Sequence, residues 1–149
     1  MSELRELYQE VILDHNKNPR NFGKLDPHSH FAKGHNPLCG DKLDLFLVVE
    51  DGIITDIKFE GSGCAISTSS ASLMTQFLKG KEESFAREIF DDFHDLVTGK
   101  DLAEDRLEAL GKLGVFAGVQ EFPARVKCAS LSWHSMVGAL DKNEKVTTE

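Results

Sequence analysis

Apolar positions recur at helical spacing from the start of the chain. Leu4, Leu7, Tyr8, Val11 and His15 predict an amphipathic helix over 2–15, with Glu3 and Glu6 at the end where negative charge is favourable. Pro19 and Gly23 break it within HNKNPRNFG, and the polar stretch that follows predicts a loop with a short strand around 31–33. In LDLFLVVEDGIITDIKF two β-rich runs meet at Asp51-Gly52, a hairpin dipeptide. Strict alternation in the second run would put Ile53, Thr55, Ile57 and Phe59 on one face and Ile54, Asp56, Lys58 and Glu60 on the other, one mostly buried and one largely wet.

From Ala65 the period becomes helical, with Ile66, Leu73, Phe77 and Leu78 as the stripe and Gly80 as the stop. Helices are expected over 83–97 and 102–110, acidic on their outer side, and Gly111, Gly114 and Gly118 break the next stretch. FPARVKCASLSWHSMVGAL predicts the last helix, with Pro123 in its first turn. The pattern implies one α+β domain over 1–140: a small antiparallel sheet of about three strands with helices packed on one face. The charged tail 141–149 is expected to be disordered.

Composition narrows the function. The chain has 149 residues, 40% hydrophobic and 28% charged, with a net charge of -8. That charge argues against sequence-independent nucleic-acid binding and against anionic membrane surfaces. No apolar run is long enough to span a bilayer. The acidic, amphipathic N-terminus does not read as a signal peptide, so the expected location is cytoplasmic. Three cysteines, an odd number in a reducing compartment, do not make a disulfide framework.

The cysteines carry the candidate chemistry. Cys39 sits in NPLCGD, two residues before Asp41, and the predicted hairpin would bring this pair and Cys64 to the same end of a sheet. Cys64 follows GSG and opens a helix, where thiolate is favoured; a tight strand-to-helix turn is the plainer alternative. On the last helix Val126, Ala129, Trp133, Met136, Val137 and Leu140 form a stripe. Cys128 is about 130° from its centre, so it is expected to face away from the core. Leu131 also falls off the stripe and hints at a contact surface.

A thiol beside a carboxylate is unfavourable alone, and a cation removes the conflict. Three thiolates and one carboxylate would suit four-coordinate Zn²⁺. Of the histidines, His35 is the nearest additional candidate; His28 and His30 lie in a polar loop. His134 is about 9 Å along the helix from Cys128.

NPLCGD, FEGSGCAISTSSASLM and FPARVKCASLSW, together with VILDHNKNPRNFG, resemble the motifs of the U-type iron–sulfur assembly proteins, IscU and the NifU N-terminal domain. Lys127 stands where the scaffolds carry a histidine, FPARVK replaces their LPPVK motif, and the path between the second and third cysteines is longer. These departures resemble the SufU branch, which works with a SufS-type cysteine desulfurase. The resemblance implies Cys39, Asp41, Cys64 and Cys128 as zinc ligands, and Arg125 as a supporting basic residue. It further implies Cys39 as the sulfur acceptor, freed when a desulfurase histidine takes its place on zinc. Downstream iron–sulfur assembly proteins would receive the sulfur.

Arg125 lies one turn before Cys128, with an ordinary surface salt bridge as its plainer reading. Lys127 would touch the edge of the site or be solvated. The acidic insertion within 85–114 reads as a wet helical face or a docking surface. Two other functions use the same cysteines: a scaffold holding a [2Fe-2S] cluster or iron, and an adapter in which zinc is structural.

Overall fold

The computed structural model describes residues 2–148, with side chains from residue 9 onward. The order is α1 (Ser2–Lys17), β1 (His30–Asn36), β2 (Asp41–Glu50), β3 (Ile53–Ser62), α2 (Ala65–Leu78), α3 (Glu83–Val97) and α4 (Glu104–Leu110). A 3₁₀ helix (Gly111–Glu121), α5 (Pro123–Leu140) and β4 (Lys145–Thr147) complete it. Strands β1, β2 and β3 pair antiparallel, as the hairpin pattern predicts. The sheet order is β3-β2-β1-β4. Helices α2 and α5 lie against the sheet, and α1, α3 and the 3₁₀ helix pack around them.

Three expectations are corrected. The sheet has four strands and is mixed, because β4 runs parallel to β1. The tail therefore does not remain disordered: Lys33 N–H donates to Glu144 O at 2.6 Å and Thr148 N–H to His35 O at 3.2 Å. Backbone pairing along an open sheet edge needs no apolar pattern, so the charged sequence conceals it. Position 149 lies outside the described residues.

The second correction concerns β3. Its pairing with β2 shifts register between Val48 and Val49. Val48 faces Asp56 and Val49 faces Ile54, leaving Thr55 as the extra residue of a bulge. Ile54 is thereby buried with Ile57 and Phe59, while Ile53 is exposed.

The third concerns α5. Cys128, Leu131 and Ser135 are buried, as are Trp133 and Met136. The helix lies between the sheet on one side and α2, α3 and the 3₁₀ helix on others. A helix walled in on several sides has no single apolar stripe. Leu131 is thus a core residue packed beside Gly34 of β1, where a Cβ would stand 3.2 Å from Leu131 Cδ1.

One buried polar contact joins α1 to α2. His15 Nδ1 lies 2.7 Å from Ser72 Oγ, which also accepts Arg20 N–H at 2.9 Å. Burial pushes the His15 imidazole below its ordinary value of 6.5; Arg20 and Lys112 add to this, and Asp14 opposes it. Burial lowers His134 and His30 in the same way.

Below the ordinary histidine value the unfolded chain takes up protons that the folded chain refuses. Stability is thus complete above pH 6.5 and falls as pH drops toward the depressed folded values. Thermal melts of metal-free protein at pH 7.5 and 5.5 should show a lower midpoint in acid. His15→Gln should shrink that difference while lowering the midpoint at pH 7.5.

Candidate metal centre

The inward face of the sheet runs directly into the site. Register pairs Ala32 with Leu45, Gly34 with Leu43, and Asn36 with Asp41. Opposed residues share a face. The alternation that buries Leu47, Leu45 and Leu43 therefore carries Asp41 inward at the end of β2, and both Asp41 and Asn36 are fully buried. Between them the chain turns through 37–40, with Gly40 N–H donating to Asn36 O at 2.8 Å. Gly40 has φ 75°, a left-handed conformation that glycine adopts freely. This turn leaves Leu38 62% exposed and Cys39 exposed.

Cys39 Sγ, an Asp41 carboxylate oxygen and Cys128 Sγ all lie within 4.8 Å of one another. Among the described residues this is the group of histidine, cysteine and acidic side chains close enough to hold one ion. Cys64 stands next to it. Its N–H donates to Asp41 Oδ1 at 3.0 Å, and its sulfur accepts Ser67 N–H at 3.4 Å as the N-cap of α2. The Cys64 thiol also acts on Cys128. The structure therefore gathers all four sequence candidates at one end of the sheet, with three within 4.8 Å of each other and the Cys64 sulfur turned to its helix.

Burial is the main effect pushing the Cys128 thiol up, and the neighbouring Cys39, Asp41 and Cys64 add to it. The expectation that Cys128 faces away from the core is corrected: without an ion it is a neutral, buried thiol. A divalent cation reverses the balance, because it binds thiolate and carboxylate together and displaces the proton. The donor set of sulfur and one carboxylate suits zinc.

Glycine at position 63 makes room for the carboxylate. A Cβ there would stand 2.7 Å from Asp41 Oδ1 and 3.3 Å from its Cγ. Gly63→Ala should displace Asp41 and weaken metal binding about tenfold or more, the range seen when groups orienting a ligand are disturbed. Competition with a coloured chelator measures it, and the far-ultraviolet circular dichroism should be unchanged.

The supporting residues fall outside this cluster. Arg125 is exposed in the first turn of α5, and its guanidinium forms no ion pair among the described residues. Lys127 is half-buried and lines an open groove of about 1020 Å³ between α5 and the C-terminal segment, on another side of the helix from Cys128. His35 is exposed on the outward alternation of β1. The ring of His28 packs on Phe31 and Phe46, and His134 packs on Phe90 and His94. None of these histidines joins the ion-sized cluster.

Asn36 is the site residue that motif reasoning passes over. Its Nδ2 donates to Asp41 Oδ2 at 3.0 Å and approaches Cys128 Sγ at 3.6 Å, while its buried Oδ1 has no partner. The signal available in sequence is alternation: Ala32, Gly34 and Asn36 occupy one face of β1.

The family model for the NifU-like N-terminal domain matches residues 7–129. A Bacillus subtilis protein named zinc-dependent sulfurtransferase SufU is 43% identical over 96% of this chain and 95% of its own length. A Streptococcus pyogenes protein named iron-sulfur cluster assembly scaffold protein IscU is 36% identical, over 96% and 88% respectively. The crystal structure of a Fervidobacterium islandicum protein, described as an iron-sulfur cluster assembly scaffold for the SUF system, superposes with a TM-score of 0.84 at 33% identity, covering 91% of this chain and 97% of the other.

Proposed function

This chain belongs to the NifU-like N-terminal domain family, and from that membership and its site we propose that it is a zinc-binding sulfur acceptor for iron–sulfur cluster assembly, charged by a SufS-type cysteine desulfurase. The observation that carries this reading is an asymmetry. Cys39, Asp41 and Cys128 are close enough to share one ion, yet Asp41 and Cys128 are buried and Cys39 alone of the three is exposed. An ion can be held from inside while one thiol remains within reach of a partner. The name of the Bacillus subtilis relative supports the same reading.

In this proposal Cys39, Asp41, Cys64 and Cys128 would hold the metal, Cys64 from the N-cap position of α2. Bound zinc keeps the thiols deprotonated near neutral pH. The Cys39 thiolate attacks the outer sulfur of the desulfurase persulfide. A sulfur–sulfur bond forms at Cys39, the one in the desulfurase breaks, and the desulfurase cysteine leaves as thiolate. The sulfur is transferred with no net oxidation.

To Arg125, unpaired among the described residues and one turn before Cys128, we assign the role of stabilising the anionic persulfide. Downstream iron–sulfur assembly proteins would take the sulfur from Cys39. No described helix is long and apolar enough to cross a membrane, and we assign the protein to the cytoplasm with its desulfurase.

The competing role is the one named for the Streptococcus pyogenes relative, a cluster scaffold. Aerobically purified protein should be colourless with one zinc per chain; a visible cluster spectrum would favour the scaffold. Incubation with a SufS-type desulfurase and sulfur-labelled cysteine, followed by mass spectrometry, should place the label on Cys39. Label on no thiol of this chain would end the sulfur-acceptor reading.

A further inference from the structure

We propose that Asn36 is a positioning residue of the metal centre, one that sets the carboxylate of Asp41 and shields the sulfur of Cys128, so that Cys39 alone is left to accept sulfur. This rests on the metal-site reading above and adds to it a residue outside the ligand set. Asn36 is fully buried and stands directly opposite Asp41 in the β1–β2 register. In the metal-loaded site the Asp41 carboxylate and the Cys128 thiolate can only accept hydrogen bonds, so the amide turns its NH₂ toward both. Its two protons match the two acceptors, Asp41 Oδ2 at 3.0 Å and Cys128 Sγ at 3.6 Å.

The other end of the amide shows that this orientation is imposed by the site. Asn36 Oδ1 is buried without a partner, a state that native structures rarely tolerate. The amide accepts it because the opposite flip would aim Oδ1 at a carboxylate and a sulfur. Asp41 is then gripped on both sides, its Oδ1 by Cys64 N–H at 3.0 Å and its Oδ2 by Asn36.

Each cysteine consequently has a different environment. Cys64 accepts from the Ser67 backbone, Cys128 accepts from Asn36, and the exposed sulfur of Cys39 takes no backbone or side-chain amide donor among the described residues. A donor on a thiolate withdraws charge from sulfur and makes it a poorer nucleophile. The arrangement thus separates two holding thiolates from one reactive thiolate.

Cobalt is the probe, since its thiolate charge-transfer bands report the electron density on sulfur. Asn36→Leu keeps the volume and removes both donors. In the cobalt-loaded variant the band should move to lower energy, and chelator competition should show metal binding weakened about 10- to 100-fold. A folded variant with an unchanged band and unchanged affinity overturns the proposal.

Should Asn36→Leu fail to fold, the unmodified chain still decides. In ¹¹³Cd-loaded protein with labelled asparagine, the Asn36 side-chain protons should show coupling to cadmium through the Cys128 sulfur. Cadmium bound to the three cysteines with no such coupling also overturns it. Failure to bind cobalt or cadmium at all would instead strike the metal-site reading beneath it.

Discussion

Cys39→Ala is expected to abolish stimulation of desulfurase turnover and to bring sulfur labelling of this chain down to background, while the metal-free protein melts within about 2 °C of the unmodified chain. Loss of activity separates from loss of stability because Cys39 sits at the exposed tip of the β1–β2 turn. Surface substitutions away from caps, cores and strained backbone move stability by about 0.5 kcal/mol or less. For a chain of this size that corresponds to about 1–2 °C. Cys128→Ala differs in kind, because it empties a fully buried position on the central helix. Loss of labelling in both variants, with stability lost chiefly in the second, is the expected pattern. A Cys39→Ala protein that still accepts label would move the acceptor role to another thiol.

Trp133→Ala should lower the melting midpoint by about 6–20 °C. Trp133 is fully buried, stacks on Phe93 with ring centroids 4.7 Å apart, and donates its indole N–H to Ser70 Oγ at 3.1 Å. Ser70 Oγ in turn donates to Ala129 O at 2.6 Å, so one side chain ties α2, α3 and α5 together. Truncating a buried tryptophan costs about 3–5 kcal/mol, and a domain of this length loses about 2–4 °C per kcal/mol. Thermal unfolding followed by circular dichroism measures it. A drop below about 3 °C would mean that this core is not assembled as described.

The helices and the hairpin were legible because each is local: stripes, a turn dipeptide and glycine stops mark them in the chain itself. The approach of Cys39 and Asp41 to Cys64 was legible, since the hairpin alone brings these three to one end of the sheet. What escaped depends on neighbours that no local pattern encodes. The burial of Cys128 follows from α5 being enclosed by the sheet and three helical elements, whereas a stripe assumes one partner layer. The Thr55 bulge reverses the facing of Ile53 and Ile54 without any glycine or proline to announce it. Strand β4 depends on backbone pairing with β1 and on Gly138, where a Cβ would collide with Val146 Cγ2. Asn36 was readable only by extending the alternation of β1 one step beyond its apolar residues.

The most direct test is X-ray absorption at the zinc edge of protein loaded with one equivalent of the metal. Sulfur scatterers at about 2.3 Å together with one oxygen at about 2.0–2.2 Å are expected, reflecting side chains that arrive from a turn, a strand end and two helices to grip the same ion. A shell containing only nitrogen and oxygen would mean that the cysteines do not converge on the metal, and the account would fail.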